Sequence, residues 1–317
     1  MVKILFISPR YDGGIGGHAK RVAEKLKDCG FDVVLFRVPY IPIKTLKNPT
    51  FSLFGSLKAT LLREQYDVVH AWNIPSAFIM KQVKAKKKVL SAHGVYSEQI
   101  KMLHSSITSK IANLVEIKAL KLADVLTTDS KTVQKSYKEK LGLEFIHLPA
   151  PLDVDKFKEI PDVMQIENQI VYIGRDSYEK GIDILKNIEN RIKGKVVYCT
   201  NVSWKEAMVT LKSSYLLVIP SRMESIPQVI KEAFYMRVPI VATNVGGIPE
   251  LITNEVTGLL VPPNDPKQLL DAINQLLENK DKAKKLSERG YDFVMKNFTW
   301  EVLLPKYLKF YKSLIKS

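Results

Sequence analysis

The sequence predicts an α/β protein of two domains, and three observations support this prediction. The chain has 317 residues, more than one hydrophobic core usually organises. It begins with a strand over residues 3–8, a glycine-rich loop and a helix, which is the start of a parallel α/β unit. A second series of strand, loop, helix, strand, glycine loop and helix covers residues 218–250. We expect an N-terminal domain over residues 1–160, a C-terminal domain over residues 168–297 and a last helix over residues 298–317.

Composition limits the class of protein. Hydrophobic residues make up 46% of the chain, which is enough for packed cores. The only cysteines, Cys29 and Cys199, lie far apart in the sequence, which fits a reducing compartment and gives no disulfide or metal framework. No signal-peptide pattern opens the chain, and the uncharged window at residues 68–80 is shorter than the about 20 residues that span a bilayer. We expect a cytoplasmic protein, either soluble or peripheral on the inner face of a membrane.

Positive charge is concentrated in the first half of the chain. The formal net charge is +15, and residues 1–160 hold 26 Lys and Arg against 15 Asp and Glu. Residues 81–121 hold nine lysines against Glu98 and Glu116. Such charge attracts the phosphates of a membrane, a substrate or a nucleic acid, and a merely solvated surface explains it as well. No aromatic and basic motif of an RNA or DNA module accompanies the charge.

The first domain is predicted to alternate strands and helices. Glycines at residues 12–17 lie between the first strand and a helix over residues 18–26, where they let the backbone approach a phosphate. Their spacing is not that of the dinucleotide-binding fingerprint. Residues 36–62 are rich in Pro and aromatic residues and predict an irregular connection or a short helix. The other elements are strands over residues 32–36, 67–72, 88–94 and 124–129 and helices over residues 98–122 and 130–140, the last with Ser130 as its cap.

Two features of this domain have open interpretations. His70 and Trp72 end one strand and are equally suited to an acceptor-binding wall and to packing. In the helix over residues 98–122, Ile and Leu recur three or four residues apart, as on one face of a helix. We expect that face to pack on the core, with contact to a membrane surface as the alternative.

The second domain is predicted to begin with a strand at Ile170. Further elements are a helix over residues 184–191, a strand over 196–200, a helix over 205–212, a strand ending at Pro220, and helices over 267–278, 281–295 and 302–315. Between them, Ser225 and Gln228 have the spacing of a capping box, with Pro227 in the first turn, so we expect a helix start near Ile226. Glu224 then lies outside this helix and Glu232 inside it.

A helix start flanked by carboxylates suits a particular ligand. The free amides and the positive dipole end bind an anion, while the carboxylates accept hydrogen bonds from hydroxyl groups. Arg175 and Lys180, at the end of one strand and before the next helix, can clamp a diphosphate, Arg through its planar fork and Lys as a point charge. These features predict binding of a diphosphate that joins two sugars.

The order of these residues resembles the donor-site signature of a known family. Glu224 follows Pro-Ser, Glu232-Ala comes seven residues later, and Pro239, a strand, Gly246-Gly247 and Glu250 follow. This order is similar to that of the retaining GT-B glycosyltransferases of family 4, the glycosyl transferases group 1. The resemblance implies two Rossmann-like domains that face a cleft, with the donor mainly on the C-terminal side and the last helix returning to the first domain.

The resemblance also assigns roles to individual residues. It implies that catalysis depends on Arg175, Lys180, Glu224 and His93. It implies substrate contacts for a further set: Gly16, Gly17, Ser225, Ile226, Pro227, Gln228, Glu232, Gly246 and Gly247. Glu224 would orient sugar hydroxyls and Glu232 the ribose diol. No cofactor and no metal are implied, and the donor base is unknown.

The chain departs from the family pattern in three places. Residues 182–219 are shorter than usual, so we expect a shortened C-terminal domain that lacks about one β–α unit and has an uncertain base pocket. Arg237 stands where a helix-ending glycine is expected, so it must adopt an unfavourable backbone conformation, or the helix must end differently. Ala150 and Pro151 replace a common Asn-Gly pair, so any contact of that asparagine is absent.

The predicted function is the transfer of a hexose from a nucleoside diphosphate sugar to a glycan or lipid-linked acceptor, with retention. The partners would be the sugar nucleotide, the acceptor and an anionic membrane surface, without nucleic acid. Two alternatives belong to other classes. One is a catalytically inactive module that binds a sugar nucleotide or a partner, and the other is a basic nucleic-acid-binding protein. The sequence does not give the oligomeric state.

Overall fold

The computed structural model describes residues 1–9, 14–41, 43, 47–98 and 106–316. Its internal contacts divide the chain into two compact units. The first unit comprises Met1–Ala150 and Leu304–Ser317, and the second comprises Pro151–Leu303. The tail of the chain therefore belongs to the first unit, and the predicted linker at residues 161–167 lies inside the second.

A parallel sheet of six strands, in the order β2-β1-β3-β4-β5-β6, forms the centre of the first unit. The strands are β1 (Lys3–Pro9), β2 (Asp32–Val38), β3 (Tyr66–Ala71), β4 (Ala85–Ser91), β5 (Val125–Thr128) and β6 (Ile146–His147). The helices are α1 (Gly14–Asp28), α2 (Lys47–Ala59), α3 (Ser76–Met80), α4 (Ser106–Leu120), α5 (Lys131–Leu141) and, after the second unit, α12 (Trp300–Lys316). As predicted, Ser130 caps α5 by accepting a hydrogen bond from the Val133 backbone N–H.

Helices cover both faces of this sheet. Leu5 and Ile7 of β1 pack on the same core cluster as residues of α2, α3, α4 and α5. Phe6, which points to the opposite face because strand residues alternate, lies against Tyr311 of α12 with ring centroids 5.9 Å apart. The helices α2, α3, α4 and α5 therefore form one layer and α12 lies on the other side of the sheet.

A parallel sheet of five strands, in the order β11-β10-β9-β7-β8, forms the second unit. The strands are β7 (Gln169–Ile173), β8 (Lys195–Cys199), β9 (Leu216–Ile219), β10 (Ile240–Thr243) and β11 (Leu259–Val261). The helices are α6 (Ile182–Ile188), α7 (Trp204–Ser213), α8 (Gln228–Tyr235), α9 (Ile248–Leu251), α10 (Pro266–Glu278) and α11 (Lys280–Phe298). One core cluster lies on each face of the sheet.

The structure corrects two local predictions and decides between the alternatives of a third. α1 begins at Gly14 and not at His18, so Gly16 and Gly17 lie buried in its first turn, where packing outweighs the low helix propensity of glycine. The capping box is wrong: α8 begins at Gln228, and Pro227 is an extended N-cap residue with no side-chain capping bond. Residues 36–62 contain the 13-residue helix α2.

The predicted core face of α4 is also wrong. Ile111 and Leu114 are exposed, whereas Ala112, Glu116 and Ala119 are buried. Glu116 points inward because its carboxylate accepts hydrogen bonds from the backbone N–H groups of Tyr96 and Ser97 and from the Tyr137 hydroxyl. The predicted positions Ile100 and Leu103 lie outside the described residues.

Candidate active site

The candidate donor site lies in the second unit at the carboxyl ends of β7 and β9. These strands are neighbours in the sheet, while the chain passes through β8 between them. From β7 the chain adds β8 on one side and then β9, β10 and β11 on the other, so the strand order reverses between β7 and β9. Open α/β sheets bind ligands at such a topological switch point. Arg175 follows β7, and Glu224 follows β9. The fold therefore brings the predicted basic and acidic residues to one edge of the sheet.

Lys180 and Glu224 form an ion pair at this edge. The Lys180 Nζ lies 2.6 Å from Glu224 Oε1, and the Lys180 and Glu224 side chains are 22% and 10% exposed. The Ser221 hydroxyl donates a second hydrogen bond to the same carboxylate oxygen at 3.0 Å. An ammonium carries three donors, so Lys180 keeps capacity for anionic oxygens while Glu224 holds it in place.

Arg175 lies in the turn after β7, at the strand end where it was predicted. Its guanidinium donates to Glu179 Oε1 at 2.9 Å, and its side chain is largely exposed. The Tyr172 hydroxyl donates to the Arg175 backbone carbonyl at 2.7 Å and so fixes the turn after β7. A guanidinium has five N–H donors, so Arg175 retains donors that can reach an anion.

Glycines bring the two loops into direct contact. A Cβ on Gly246, whose φ is +53°, would lie 1.8 Å from the Glu224 carbonyl oxygen, and one on Gly247 would lie 2.0 Å from that of Ser225. On the opposite side, a Cβ on Gly181 would lie 2.0 Å from the Pro220 carbonyl oxygen. Only glycine permits such approaches. The Gly246-Gly247 loop and Gly181 therefore position the segment that carries Glu224.

Arg222, which we did not predict as a site residue, braces the same segment. Its guanidinium makes a bidentate pair with Asp183 at 2.7 and 2.6 Å and lies 4.0 Å from the centre of the Tyr178 ring. The hydrogen bond from Arg222 holds the pKa of the Asp183 carboxyl below its usual value. The Arg222 and Met223 backbone N–H groups also donate to the Glu179 carbonyl. The one sequence signal for this brace was that Arg222 lies two residues before Glu224.

Glu232 has a partner that sequence reasoning missed. The Trp204 indole Nε1 donates to Glu232 Oε1 at 2.8 Å. Trp204 is the first residue of α7 and Glu232 lies in α8, 28 residues further on. Phe157 packs edge-on against the indole ring at 5.5 Å. The indole therefore fixes the direction in which the Glu232 carboxylate points.

The chain before α8 carries the remaining predicted contacts. Ser225, Ile226 and Pro227 precede the helix, and Gln228 is its first residue. The Ser225 hydroxyl is buried and has no hydrogen-bond partner among the described residues. Because buried hydroxyls are normally paired, this oxygen and the free amides of the first turn are available to an anionic or hydroxyl-bearing ligand.

In the first unit, His93 lies just beyond the carboxyl end of β4. Its Nδ1 is 3.0 Å from Asp129 Oδ2, and both side chains are nearly buried. Its ring lies 5.8 Å from the ring of His18 in α1, the helix that begins with Gly16 and Gly17 in its first turn. The predicted contacts His93, Gly16 and Gly17 are thus close to one another within this unit.

His70 and Trp72, for which two interpretations were open, are packed in the core. His70 is fully buried and hydrogen bonds through Nδ1 to the Tyr311 hydroxyl and through Nε2 to the Ser91 hydroxyl, both at 2.7 Å. The Trp72 ring stacks on it at 4.4 Å. Burial lowers the pKa of His70 well below its ordinary value. This histidine is therefore neutral and structural.

One group of described residues has the geometry to hold a metal ion. Ligand atoms of His18, His93 and Asp129 lie within 4.8 Å of one another. The same atoms make other contacts, since His93 pairs with Asp129 and His18 Nε2 lies 3.1 Å from the Tyr307 hydroxyl. These bonds account for the cluster, and the absence of a metal requirement stays a prediction.

Comparison with known proteins shows to which family the chain is similar. The model for glycosyl transferases group 1 matches residues 186–293, and the model for glycosyltransferase family 4 matches residues 6–154. An uncharacterized glycosyltransferase of Methanocaldococcus jannaschii is 23% identical, over 96% of this chain and 95% of that protein.

Two solved structures are similar over the whole chain. Sucrose-phosphate synthase of Thermosynechococcus elongatus has a TM-score of 0.84 at 20% identity and covers 100% of both chains. HepE of Anabaena, solved in complex with UDP and glucose, has a TM-score of 0.78 at 15% identity and covers 99% of this chain and 100% of that one. At such identities the likeness gives the GT-B fold. Since the two family models match one unit each, the chain belongs to the family 4 glycosyltransferases, the glycosyl transferases group 1.

Proposed function

We propose that this glycosyltransferase moves a hexose from a nucleoside diphosphate sugar, with retention of anomeric configuration, to a glycan or lipid-linked acceptor. The observation that carries the proposal is the Lys180–Glu224 pair at the carboxyl ends of β7 and β9, 2.6 Å apart and largely shielded from solvent. A cation and a carboxylate held together at a ligand-binding edge suit a donor that carries both phosphates and sugar hydroxyls.

Departure of the diphosphate is the step that these residues would promote. As the bond between the sugar and the diphosphate breaks, negative charge develops on the leaving oxygen. Lys180 and Arg175 carry fixed positive charges with unused N–H donors, and stabilisation of developing charge is usually the largest catalytic effect. The charge on Lys180 is preorganised because it pairs with Glu224, whose carboxylate is in turn oriented by the Ser221 hydroxyl. No metal and no cofactor take part in the proposed step.

Glu224 and Glu232 would recognise different parts of the donor. Glu224 lies with Lys180 before α8, where it would accept hydrogen bonds from the sugar. Glu232 lies inside α8, and its carboxylate, oriented by the Trp204 indole, would accept hydrogen bonds from the ribose diol. The likeness to HepE, solved with UDP and glucose, supports a donor of this class. In the first unit, His93 would contact the sugar or phosphate.

Single substitutions test this division of roles. We expect Glu232→Ala to weaken binding of the free nucleoside diphosphate at least roughly tenfold, the scale of a hydrogen bond to a charged group. Glu224→Ala removes the partner of Lys180, so we expect some loss of nucleotide affinity, smaller than in Glu232→Ala, and a fall in sugar transfer of at least roughly 100-fold. Calorimetry with the nucleotide and a transfer assay measure the two effects. Equal losses of nucleotide affinity in the two variants would contradict the proposal, and Glu278→Ala, an exposed glutamate of α10, is the control.

A further inference from the structure

Two helices of the first unit expose apolar side chains that the fold does not use. On α2 and the turn after it these are Leu53, Phe54, Leu57 and Leu61, and on α4 they are Ile111 and Leu114. The exposed fractions reach 61% for Leu57 and Leu114 and 78% for Leu61. The four positions on α2 and its turn follow helical spacing, so they form a stripe. We refer to these six residues as the apolar face.

The opposite sides of the same helices are anchored in the core. Phe51 and Ala59 of α2 and Ala119 and Leu120 of α4 belong to one buried cluster. At Gly55 the two helices α2 and α3 approach so closely that a Cβ would lie 2.2 Å from Ile79 Cδ1, and α3 also packs against α4. Because α2 and α4 cover one side of one sheet, their outer sides face the same direction. The apolar face is therefore a single surface of this unit.

The exposed charges of these two helices all have one sign. Residues 47–63 contain Lys47, Lys58 and Arg63 and no Asp or Glu. Residues 106–121 contain Lys110, Lys118 and Lys121, and their one acid, Glu116, is buried and points inward. Large apolar side chains thus alternate with basic ones, without exposed acids among them.

We propose that the apolar face docks on the surface of an anionic lipid bilayer. Leu and Phe side chains next to Lys and Arg are the pattern of helices that lie in the membrane interface, where the apolar groups enter the boundary of the acyl chains and the cations meet the headgroups. Among the described residues no helix is long and apolar enough to cross a membrane, so the contact is peripheral. Membrane docking would bring the enzyme to the lipid-linked acceptor of the proposed function. The biological purpose of docking rests on that proposed function, but the docking itself does not.

The charge of the apolar face favours a membrane over a second copy of this chain as its partner. A symmetric dimer formed through this face would place the same basic residues of both copies against each other, which costs free energy. An anionic bilayer instead attracts every exposed charge on the face. The lysines of the last helix, α12, lie on the other side of the sheet and do not belong to the apolar face.

Cosedimentation of the full chain with vesicles tests the proposal. We expect binding to vesicles of phosphatidylcholine with phosphatidylglycerol at low salt, and weaker binding at high salt or to phosphatidylcholine alone. Lys110→Gln with Lys118→Gln is expected to lower the partition coefficient roughly 30-fold, since each basic residue near such a surface contributes about 1 kcal/mol. Leu57→Ser with Leu61→Ser is expected to lower it at least roughly tenfold.

Matched controls keep the result specific. Lys284→Gln with Lys285→Gln removes two exposed lysines of α11, and Met164→Ser removes an exposed apolar side chain of the second unit; we expect wild-type binding from both. Equal losses in the controls, no binding at low salt, or a lipid-free dimer abolished by Leu57→Ser with Leu61→Ser would overturn the proposal. Nucleotide affinity, measured without lipid, separates this outcome from failure of the proposed donor function.

Discussion

Lys180 illustrates how one residue links the fold to the proposed chemistry. It lies in the turn between β7 and α6, pairs with Glu224, whose carboxylate also accepts from the Ser221 hydroxyl, and keeps donors for a diphosphate. Lys186, five residues into the same unit's first helix, also pairs with a carboxylate, that of Asp176, but is half exposed. Both lysines carry the same charge, but only Lys180 lies at the strand ends that form the candidate site. Lys186 is therefore a control for Lys180.

We predict that Lys180→Ala or Arg175→Ala lowers turnover at least roughly 100-fold, the usual effect of removing one donor that stabilises developing charge. Lys186→Ala is expected to keep turnover within about twofold, because an exposed ion pair contributes little. Steady-state kinetics with the sugar nucleotide that the protein accepts measures both. Wild-type rates for Lys180→Ala and Arg175→Ala would exclude a phosphate clamp at this place.

His70 gives a prediction for the dependence of stability on pH. Burial depresses its folded pKa below the ordinary value of 6.5, so below that pH the unfolded chain binds a proton that the folded chain does not. The stability that this neutral histidine confers is present above pH 6.5 and is lost as the pH falls toward the folded pKa. At the ordinary pH of a cell, its bonds to Tyr311 and Ser91 are therefore intact.

His70→Gln should destabilise the protein at neutral pH, and the difference from the wild type should shrink in acid. Between about pH 7.5 and about pH 5 we expect the difference in the free energy of unfolding to narrow. Urea unfolding of both proteins, followed by circular dichroism at the two pH values, measures this difference. A pH-independent difference would show that His70 does not titrate as its burial requires.

Among the elements, the Gly246-Gly247 loop before α9 has the clearest role. It lies directly against the backbone of Glu224 and Ser225, so any side chain there would displace the segment that carries the Glu224 carboxylate. Gly142, at the end of α5, has a similar positive φ of +64° but open space around it. Comparison of the two glycines separates backbone strain from displacement of the loop.

Gly246→Ala is predicted to lower turnover by at least roughly tenfold, since a small displacement of reacting groups costs that much or more. Gly142→Ala carries the same backbone strain, about 1 kcal/mol, and should leave turnover unchanged. Thermal unfolding of both variants and their transfer rates give the comparison. Equal rates in the two variants would show that the loop does not position Glu224.

Elements were predicted from sequence wherever the signal was local. The strands that start at Lys3, Asp32 and Ile170 follow from apolar runs bounded by turn residues, and Arg237 has the positive φ of 53° expected where a helix-ending glycine is replaced. The start of α8 was misplaced, because the extended backbone at Pro227 overrides the capping-box spacing. The spacing of residues in the sequence does not reveal which backbone conformation the tertiary structure imposes on a proline.

Features that depend on distant partners escaped prediction. The inward turn of Glu116 requires Tyr96, Ser97 and Tyr137, which lie 19 to 21 residues away, so the apolar period of α4 gave the wrong core face. Likewise, the motif order indicated Glu232, but its partner Trp204 follows from the packing of α7 on α8. The sequence thus indicated the motif residues of the candidate site, but not the residues, such as Trp204, that orient them.

In the whole molecule, the basic residues of the two units have different proposed roles. The first unit has a net charge of +16 and the second a net charge of −1, and the exposed apolar and basic residues of the apolar face lie on α2 and α4 of the first unit. The second unit carries the paired cations of the proposed donor site. A glycosyltransferase whose acceptor is embedded in a membrane would use both, one unit for the surface and the other for the sugar nucleotide.

The central claim, that the second unit binds a nucleoside diphosphate through Lys180, is tested most directly by calorimetric titration of UDP, GDP and ADP into the wild type and Lys180→Ala. We expect one of the three nucleotides to bind the wild type at micromolar concentration, about −8 kcal/mol. Lys180→Ala should bind it at least roughly tenfold more weakly, the loss expected for a charge-assisted bond. Failure of all three nucleotides to bind, or equal affinity in the two proteins, would contradict the account.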